Sequence, residues 1–447
     1  MRVVIIGAIA AGMSAAAKLR RVDKEAEIIV FEKQEYVSFG ACGLPYYVGD
    51  YFDDANRMLV RTPDQIRGMG IELHLRHEVT SVDAKEKQVV VKDLEANTER
   101  VVSYDRLMVA TGASAIVPPI KNQALANVHM LRTLEDGEQV RRLMLNESVR
   151  KVAIIGAGFI GLEVAEAAKR QGKEVSIFQL EERILKDAFD AEITELLEEE
   201  LRNQGVNLYV NTMVTELKGS DKVEAVLAGN VEVEADLVVI ATGVRPNTAF
   251  LKDTGVEMLP NGAIIIDAAG RTSVEDIYSA GDCATVPHRL KAAPAYIPLA
   301  TTANKLGRIL GENLALPKGE QKEFEGTLGS ACLKLLDLEA GRTGLCETEA
   351  VKAGLEVKTV VMTDKNHTDY YPGQEPITVK LVYDAKTKVI LGGQVVGKSD
   401  AVQRTNVLAA AIAAKMTTEQ LAMLDLCYAP PFSRTWDALN IAGSIAK

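Results

Sequence analysis

Two separate stretches of the chain join an apolar strand to a helix through a glycine-rich turn. In the more complete copy, the apolar run 152–155 leads into Gly156-Ala157-Gly158-Phe159-Ile160-Gly161, a helical stretch that stops at Gly172, and a second apolar strand, Val175 to Phe178. The first glycine permits the tight turn, the second lets backbone approach a pyrophosphate, and the third packs helix on strand. Because a helix N-terminus favours anions, this stretch predicts a dinucleotide site in a parallel strand–helix–strand unit.

The second strand of this copy is followed by Gln179 instead of a carboxylate. A carboxylate at this position binds the ribose 2′-hydroxyl of NAD, whereas an arginine accommodates the 2′-phosphate of NADP. Gln179 does neither strongly. The nearby Glu181 and Glu182 would repel a phosphate, so we expect NADH to be favoured, with NADPH left open.

The other copy lies at the start of the chain. The strand Val3 to Ile6 runs into Gly7-Ala8-Ile9-Ala10-Ala11-Gly12, in which Ile9 stands where the middle glycine is expected. The following apolar strand ends at Glu32, about 20 residues after Gly12, which is the spacing and residue type that bind a ribose hydroxyl. This copy predicts a second dinucleotide site. The alternatives are that this stretch is a signal peptide or a strand–helix–strand unit that binds no ligand.

A third segment indicates which dinucleotide the N-terminal copy binds. Thr272 to Asp282, ending in Ser-Ala-Gly-Asp, resembles the second FAD motif of flavin disulfide reductases. The turns Ala110-Thr111-Gly112 and Ala241-Thr242-Gly243 resemble the points where such chains leave and re-enter the FAD domain. We therefore expect an α/β protein with two Rossmann-like dinucleotide-binding domains, for FAD and NAD(P), and a C-terminal α+β dimerisation domain. The expected bounds are 1–112 and 244–322 for the FAD domain, 113–243 for the NAD(P) domain, and 323–447 for the C-terminal domain.

Cys42 stands soon after the first strand pair, in Ser38-Phe39-Gly40-Ala41-Cys42-Gly43-Leu44-Pro45-Tyr46. Pro45 suits the first turn of a helix, so we expect Cys42 at a helix N-terminus, where the thiolate is favoured. The residue five positions later is Tyr47, where two-cysteine disulfide reductases carry their second cysteine. Because no second cysteine stands there, the chemistry of Cys42 must involve a sulfur or oxygen atom from outside the protein. A thiolate can attack a disulfide, release one thiol and hold the other as a mixed disulfide. The alternative is an inert buried cysteine.

On these residues the chain resembles the single-cysteine branch of the pyridine nucleotide-disulfide oxidoreductases, which includes coenzyme A-disulfide reductases, persulfide reductases, NADH oxidases and NADH peroxidases. The resemblance covers essentially the whole chain. It implies an FAD-dependent NAD(P)H oxidoreductase that reduces coenzyme A disulfide, or a related persulfide, through Cys42. Two other functions stay open: an NADH oxidase that reduces oxygen through a Cys42 sulfenate, and a flavin redox sensor that controls a partner.

Two features favour the disulfide reductase within this branch. Oxidase and peroxidase members typically carry a histidine where this sequence has Ala10. The segments His367 to Gly373 and Tyr428 to Ser433 resemble those that bring tyrosines from the neighbouring subunit to the cysteine. By that resemblance Tyr370 and Tyr428 protonate the departing thiolate, with Tyr371 as the alternative to Tyr370. A role in packing alone is the competing interpretation.

The resemblance also implies a coenzyme A site along the first helix, on Ser14, Lys18 and Arg21 together with Ser38. The competing interpretation is that basic residues at this helix end only complement the helix dipole. Glu163 would frame the nicotinamide. The full set of implied cofactor contacts is Gly7, Ala8, Gly12, Glu32, Lys33, Val79, Thr111, Gly112, Arg132, Gly156, Gly158, Phe159, Ile160, Gly161, Glu163, Gln179, Gly243, Gly281, Asp282, Pro298, Leu299 and Ala300.

Composition limits the remaining possibilities. The 447 residues carry a net charge of −11, which disfavours nucleic acid as a partner. No apolar run reaches the length of a membrane span. Five cysteines are a poor basis for a disulfide framework, so we expect a reducing, cytoplasmic location. The histidines have no metal-site spacing, and we expect Cys283, Cys332, Cys346 and Cys427 to be structural. In the C-terminal domain, Ile377 to Tyr383 and Val389 to Val396 are expected to be alternating strands beside amphipathic helices, and a homodimer is expected from this domain.

Overall fold

The computed structural model describes residues 1–291 and 293–447 and confirms the mixed α/β class. Its α-helices are α1 Ala10–Val22, α2 Leu44–Val48, α3 Pro63–Arg67, α4 Leu134–Met144, α5 Phe159–Arg170, α6 Ala191–Asn203, α7 Ala300–Asn313, α8 Glu347–Lys352, α9 Ala401–Ala413, α10 Thr418–Ala422 and α11 Ala438–Ile445. Short 3₁₀ helices are formed by Ala41–Gly43, Ala55–Met58 and Ala249–Leu251. Among the described helices, none combines the length and apolar character that a membrane crossing would need.

The strands lie between these helices along the chain, singly or in runs. They are β1 Arg2–Ile6, β2 Glu27–Phe31, β3 Glu72–His74, β4 His77–Asp83, β5 Gln88–Asp93, β6 Thr98–Ser103, β7 Arg106–Val109, β8 Ala113–Ala115, β9 Val128–His129, β10 Lys151–Ile155, β11 Glu174–Phe178, β12 Asn207–Tyr209, β13 Val214–Lys218, β14 Ala225–Ala228, β15 Val231–Glu234, β16 Leu237–Ile240, β17 Val244–Pro246, β18 Ile277–Ser279, β19 Ala331–Leu335, β20 Leu338–Gly344, β21 Val357–Lys365, β22 Pro376–Asp384 and β23 Ile390–Gly397.

The chain forms two compact units. The first contains residues 1–44, 52–116 and 244–327. Its main sheet has the strand order β18-β7-β1-β2-β3, with parallel pairing throughout. Apolar runs such as Val3 to Ile6 and Ile28 to Phe31 are buried in this sheet, as expected for strands covered on both faces. β8 and β17 pair antiparallel, so the stretch that leaves this unit and the stretch that returns to it run side by side.

Close helix packing covers this sheet. α1 and α7 meet through small residues: a methyl group on Gly307 would lie 2.5 Å from the carbonyl oxygen of Ala11, and one on Gly311 would lie 2.5 Å from that of Ala15. Backbones at this separation leave no space for larger side chains. α7 therefore fixes the position of α1, the helix that begins at the first glycine fingerprint.

The second unit contains residues 45–51, 117–243 and 328–447. Its parallel sheet has the order β12-β11-β10-β16-β9 and repeats the strand–turn–helix arrangement of the first unit. Its C-terminal part is an antiparallel sheet of order β19-β20-β23-β22-β21. The expected alternation of buried and exposed residues along Ile377 to Tyr383 is wrong, because all seven residues are buried. Helices α9, α6 and α11 contact the strands of this sheet, so polar residues within β22 are buried too.

Candidate functional site

The first glycine fingerprint forms the turn between β1 and α1. Gly7 has φ +105°, a conformation that costs glycine little, and its N–H donates to the carbonyl of Phe31 at 2.8 Å. Glu32, at the end of β2, accepts the backbone N–H of Ala8 at 2.7 Å and that of Gln34 at 3.0 Å. Burial raises the pKa of the Glu32 carboxyl group. A carboxylate with two such bonds keeps lone pairs for further donors, so it fits the ribose hydroxyls of a dinucleotide.

The second fingerprint repeats this geometry between β10 and α5. Gly156 also has φ +105°, and its N–H donates to the carbonyl of Phe178 at 2.8 Å. Gln179 takes the place of the carboxylate: its Oε1 accepts the N–H of Ala157 at 2.9 Å. Its Nε2 donates to the carbonyl of Arg183 at 3.5 Å. A neutral amide therefore occupies the position where a carboxylate would exclude a 2′-phosphate.

The two carboxylates next to Gln179 are paired with a lysine. Lys186 Nζ lies 2.8 Å from Glu181 and 2.7 Å from Glu182. The pairing raises the pKa of Lys186 and lowers that of Glu182. The repulsion that the sequence predicted for a phosphate here is thus partly offset, because one lysine balances one of the two carboxylates.

Three glycines of these turns differ in what surrounds them. A methyl group on Gly161 would lie 2.0 Å from the carbonyl oxygen of Gly156, and one on Gly12 would lie 1.9 Å from that of Gly7. A methyl group on Gly158 would have no atom within 4 Å in the described part of the chain. Helix packing therefore requires glycine at 161 and at 12, whereas no contact among the described residues requires glycine at 158. A pyrophosphate that approaches the backbone would supply that requirement.

The carboxyl ends of neighbouring strands bring most of the expected FAD residues to one edge of the first sheet. Ligands of open parallel sheets bind at this edge. β18 is followed by Gly281 and Asp282, β7 by Thr111 and Gly112, β1 by Gly7 and Ala8, and β2 by Glu32 and the exposed Lys33. Val79 is buried in β4, and Pro298, Leu299 and Ala300 form the entry into α7.

The expected NAD(P) residues gather in the same way in the second unit. Gly156, Gln179 and Gly243 follow β10, β11 and β16, which are adjacent parallel strands. Phe159 and Ile160 begin α5, and Glu163 lies one turn further along it. Arg132, expected as a cofactor contact without a stated cofactor, is half-buried and precedes α4. Each fingerprint therefore lies at the carboxyl end of its own parallel sheet. The roles of these residues as cofactor contacts stay predictions.

Cys42 is exposed and forms no disulfide. It lies in the 3₁₀ turn Ala41–Gly43, in which the Gly43 N–H donates to the carbonyl of Gly40 at 2.9 Å. Pro45 lies in the first turn of α2, as predicted. Cys42 was expected at a helix N-terminus, and the 3₁₀ turn that holds it lies directly before α2, which starts at Leu44. The alternative of an inert buried cysteine does not fit this exposed thiol.

Glu163 belongs to a group of polar side chains in the second unit. The Tyr46 hydroxyl donates to Glu163 Oε1 at 3.5 Å, and the Tyr51 hydroxyl donates to Glu166 Oε1 at 3.1 Å. Burial raises the pKa of Glu163 to about 7 and that of Tyr46 to about 12. Glu163 can therefore gain or lose a proton near neutral pH. Sequence inspection missed Tyr46, Tyr51 and Glu166, because no linear spacing links α2 to α5.

The two tyrosine segments of the C-terminal part meet at the surface. The hydroxyl groups of Tyr370 and Tyr428 lie 3.1 Å apart, and both side chains are exposed. Their hydrogen bond raises the pKa of Tyr428. Tyr371 instead packs edge-on against His367, with 5.5 Å between ring centroids. The structure therefore pairs Tyr370, and not Tyr371, with Tyr428.

The expected coenzyme A contacts are partly engaged within the first unit. Ser14 Oγ donates to Asn304 Oδ1 at 2.8 Å, and Lys18 forms an ion pair with Glu312. Arg21 is exposed, and its Nε donates to the carbonyl of Ala17 at 3.1 Å. Ser38 has φ +52° and its N–H donates to the carbonyl of Ala8 at 2.9 Å. Among the three residues of α1, Arg21 presents the most accessible charge for an anionic ligand.

The other cysteines differ in environment. Cys283 and Cys346 are buried, and burial raises the pKa of each thiol, which suits a structural role. Cys332 and Cys427 are exposed, so neither packs in a core, and the expectation that they have no chemical role stays a prediction. Within the described residues, no cluster of histidine, cysteine and carboxylate side chains is arranged to hold a metal ion.

Known proteins share this organisation. Residues 1–305 match the family model for pyridine nucleotide-disulphide oxidoreductases, and residues 330–439 match the dimerisation domain of the same family. The chain is 40% identical over 446 residues to an NAD(P)H sulfur oxidoreductase (CoA-dependent) from Pyrococcus abyssi, covering 100% of this chain and 98% of that protein. It is 35% identical to an NADH oxidase from Enterococcus faecalis, covering 100% and 99%.

A solved structure agrees with these similarities. The NAD-dependent persulfide reductase from A. fulgidus superimposes with a TM-score of 0.94 at 36% identity, covering 100% of this chain and 83% of that one. Both fingerprints, the antiparallel C-terminal sheet and the connections between them lie within the matched length. The chain belongs to the pyridine nucleotide-disulphide oxidoreductase family.

Proposed function

We propose that this protein is an FAD-dependent NAD(P)H oxidoreductase that reduces coenzyme A disulfide, or a related coenzyme A persulfide, through Cys42. The observation that carries the proposal is the exposed Cys42 in the turn Ala41–Gly43, with no second cysteine in that segment, in a chain with two dinucleotide fingerprints. The similarity to proteins named as a CoA-dependent sulfur oxidoreductase and a persulfide reductase supports a sulfur substrate.

The two fingerprints divide the cofactors between them. In this proposal the FAD dinucleotide is held by the edge that contains Gly7, Glu32 and Asp282, and NAD(P)H by the edge that contains Gly156 and Gln179. When bound, FAD relays two electrons from the nicotinamide to sulfur. The neutral Gln179 and the Lys186 counter-charge are compatible with either NADH or NADPH.

The sulfur chemistry divides into two balanced steps. The Cys42 thiolate attacks one sulfur of coenzyme A disulfide, so that a Cys42–coenzyme A mixed disulfide forms and one coenzyme A thiolate departs. That thiolate takes a proton. Two electrons from NAD(P)H then cleave the mixed disulfide, which returns the Cys42 thiolate and, with a second proton, releases the second coenzyme A thiol.

The proton for the departing thiolate comes from the Tyr370–Tyr428 pair in this proposal. Two phenols that share a hydrogen bond can donate a proton from one hydroxyl while the other stabilises the phenolate that remains. Tyr370 and Tyr428 are both exposed, so they are accessible to a substrate.

We further propose a cytoplasmic homodimer, supported by the match to a dimerisation domain and by cysteines that form no disulfides.

Glu163 gives a prediction about pH. Oxidation of NADH develops positive charge on the nicotinamide, which a nearby carboxylate would stabilise. Because burial raises the pKa of Glu163 to about 7, the rate of flavin reduction by NADH is expected to rise about tenfold, ~1.4 kcal/mol, as the pH rises through 7. Stopped-flow absorbance under anaerobic conditions measures this rate. Glu163→Gln should remove the step and hold the rate near its low-pH value at every pH.

A matched variant makes this result specific. Glu166→Gln changes a carboxylate on the same helix that is bonded instead to Tyr51 and to the Leu336 N–H. It should retain the rise but move it to lower pH, because the charge of Glu166 contributes to the raised pKa of Glu163. A profile that stays unchanged in Glu163→Gln would exclude Glu163 as the titrating group.

The proposed function is tested by the electron acceptor. Coenzyme A disulfide added under anaerobic conditions should stimulate NADH consumption at least tenfold, with two thiols formed per NADH. The similarity to an NADH oxidase favours oxygen as the second candidate acceptor. Oxygen uptake that matches NADH consumption, without stimulation by coenzyme A disulfide, would show that this protein is an NADH oxidase and not a disulfide reductase.

A further inference from the structure

A buried arginine lies between the two tyrosine segments of the C-terminal part. Arg404, from α9, is 7% exposed. Its Nη2 donates to the carbonyl of Asn366 at 2.9 Å and to that of Phe432 at 3.2 Å. Asn366 directly precedes the segment that carries Tyr370, and Phe432 belongs to the segment that begins at Tyr428. One guanidinium group therefore binds both segments, which are far apart in sequence.

A carboxylate completes this arrangement. Asp437, 7% exposed, accepts from Nε and Nη2 of Arg404 at 2.9 and 2.7 Å. It also accepts hydrogen bonds from the Ser433 hydroxyl at 3.0 Å and from the Leu439 N–H at 2.9 Å. The bond from Leu439 caps the N-terminus of α11. The buried charge of Arg404 is thus paired, and both ends of the pair are tied to backbone near the second segment.

A weaker link joins the segments directly, closer to the tyrosines. Thr368 Oγ1 donates to the carbonyl of Pro430 at 3.1 Å. Together with Arg404, this bond leaves little freedom in the separation of the segments, and the hydroxyls of Tyr370 and Tyr428 meet at 3.1 Å. Exposed tyrosine side chains on independent loops would otherwise spend most of their time apart, because ordering them costs conformational entropy.

The chemistry of the guanidinium group suits this task better than that of an ammonium group. Nε and Nη2 both donate to Asp437, and the two N–H bonds of Nη2 are shared among that carboxylate and the two carbonyls, so one planar group holds all three in a set geometry. A lysine keeps the charge but donates from a single nitrogen on a flexible chain. Stabilisation alone does not explain the choice, since a buried ion pair often adds little stability compared with apolar side chains of similar volume.

We propose that Arg404 is a positioning residue that holds Tyr370 and Tyr428 in hydrogen-bond contact and thereby sets the rate of proton delivery to the departing thiolate. This inference rests on the proposed function. It concerns only the step in which a thiolate leaves, because an alkyl thiolate is basic and needs a proton, whereas an aromatic thiolate is stable as an anion.

The test compares two disulfides in the full-length holoenzyme. Arg404→Lys should lower kcat about tenfold to hundredfold with coenzyme A disulfide and less than about threefold with the aromatic disulfide 5,5′-dithiobis(2-nitrobenzoate). Flavin reduction by NADH should keep its wild-type rate. In a Tyr370→Phe background, which itself should lower coenzyme A disulfide turnover about hundredfold, Arg404→Lys should have almost no further effect, since both changes remove the same proton transfer.

Two further variants separate positioning from folding. Thr368→Val removes the direct link and keeps the buried ion pair, so it should show the same selectivity for coenzyme A disulfide with a smaller loss. Arg342→Lys changes another buried arginine of this unit, which pairs with Glu349 at 2.7 Å and donates to the carbonyls of Ala188 and Gly344. It should lower the melting temperature without changing the ratio between the two disulfides.

Several results would overturn the inference. Equal losses with both disulfides in Arg404→Lys and in Thr368→Val would indicate a structural role only. Additive losses in the combination with Tyr370→Phe would show that Arg404 acts on another step. A wild-type enzyme that fails to reduce coenzyme A disulfide at all would overturn the proposed function first, and this is recognised before any Arg404 variant is made.

Discussion

Cys42→Ser is expected to lower disulfide reduction at least 10³-fold while flavin reduction by NADH continues at the wild-type rate. A serine hydroxyl is not ionised near neutral pH and cannot form the mixed disulfide. The flavin and the NAD(P)H fingerprint do not depend on the sulfur. Anaerobic stopped-flow absorbance follows flavin reduction, and thiol release follows the disulfide. Mass spectrometry of the intact wild-type protein before and after reduction should show a coenzyme A adduct that Cys42→Ser lacks.

Two exposed cysteines provide the matched controls. Cys332 and Cys427 are also exposed, so Cys332→Ser and Cys427→Ser test whether any accessible thiol would serve. Both variants should retain disulfide turnover and the adduct. Turnover that survives in Cys42→Ser, or an adduct that disappears in Cys427→Ser, would move the redox-active sulfur elsewhere.

The second large effect concerns the glycines of the NAD(P)H fingerprint. Gly161→Ala places a methyl group 2.0 Å from the carbonyl oxygen of Gly156, a contact that the turn and α5 cannot both accommodate. We expect destabilisation of ~3 kcal/mol or more and a lower melting temperature. Gly158→Ala meets no atom of the described chain within 4 Å, and Gly158 has an extended backbone with φ −82°. It should fold normally and bind FAD normally, yet raise KM for NAD(P)H about tenfold to hundredfold.

Thermal unfolding, FAD content and steady-state kinetics separate the two outcomes. A Gly158→Ala protein with unchanged KM would show that no pyrophosphate approaches this turn. The NAD(P)H site predicted at Gly156 to Gly161 would then have to be abandoned. A Gly161→Ala protein as stable as the wild type would contradict the packing between α5 and the turn.

The sequence predicted the two strand–turn–helix units correctly because their signals are local. Gly7 and Gly156 need a left-handed backbone, Gly12 and Gly161 need the absence of a side chain, and buried strands need continuous apolar runs. Each requirement is visible within about thirty residues. Glu32 and Gln179 follow from counting along the same units, and the structure places both at the turn, bonded to the backbone of Ala8 and Ala157.

Local signals failed where neighbouring structure changes a residue's surroundings. β22 was expected to alternate, but helices and strands cover it and bury the whole run from Ile377 to Tyr383. Cys42 was expected at a helix N-terminus, and only the structure shows that a 3₁₀ turn holds it directly before α2. Lys18 was expected to contact coenzyme A, and in the structure it forms an ion pair with Glu312 of α7, so its role as a contact stays a prediction. For β22 and Lys18, the groups that set the surroundings lie outside the sequence window that made the prediction.

By itself, the sequence determined the two nucleotide-binding units, the cysteine without a second thiol in its segment and the two tyrosine segments, because glycine conformation, chain spacing and residue chemistry are properties of short stretches. Only the tertiary structure decided that Tyr370 and not Tyr371 meets Tyr428, that Glu163 lies beside Tyr46 with a raised pKa, and that Arg404 binds both tyrosine segments. The physical reason is that hydrogen bonding and burial depend on which distant residues the fold brings together.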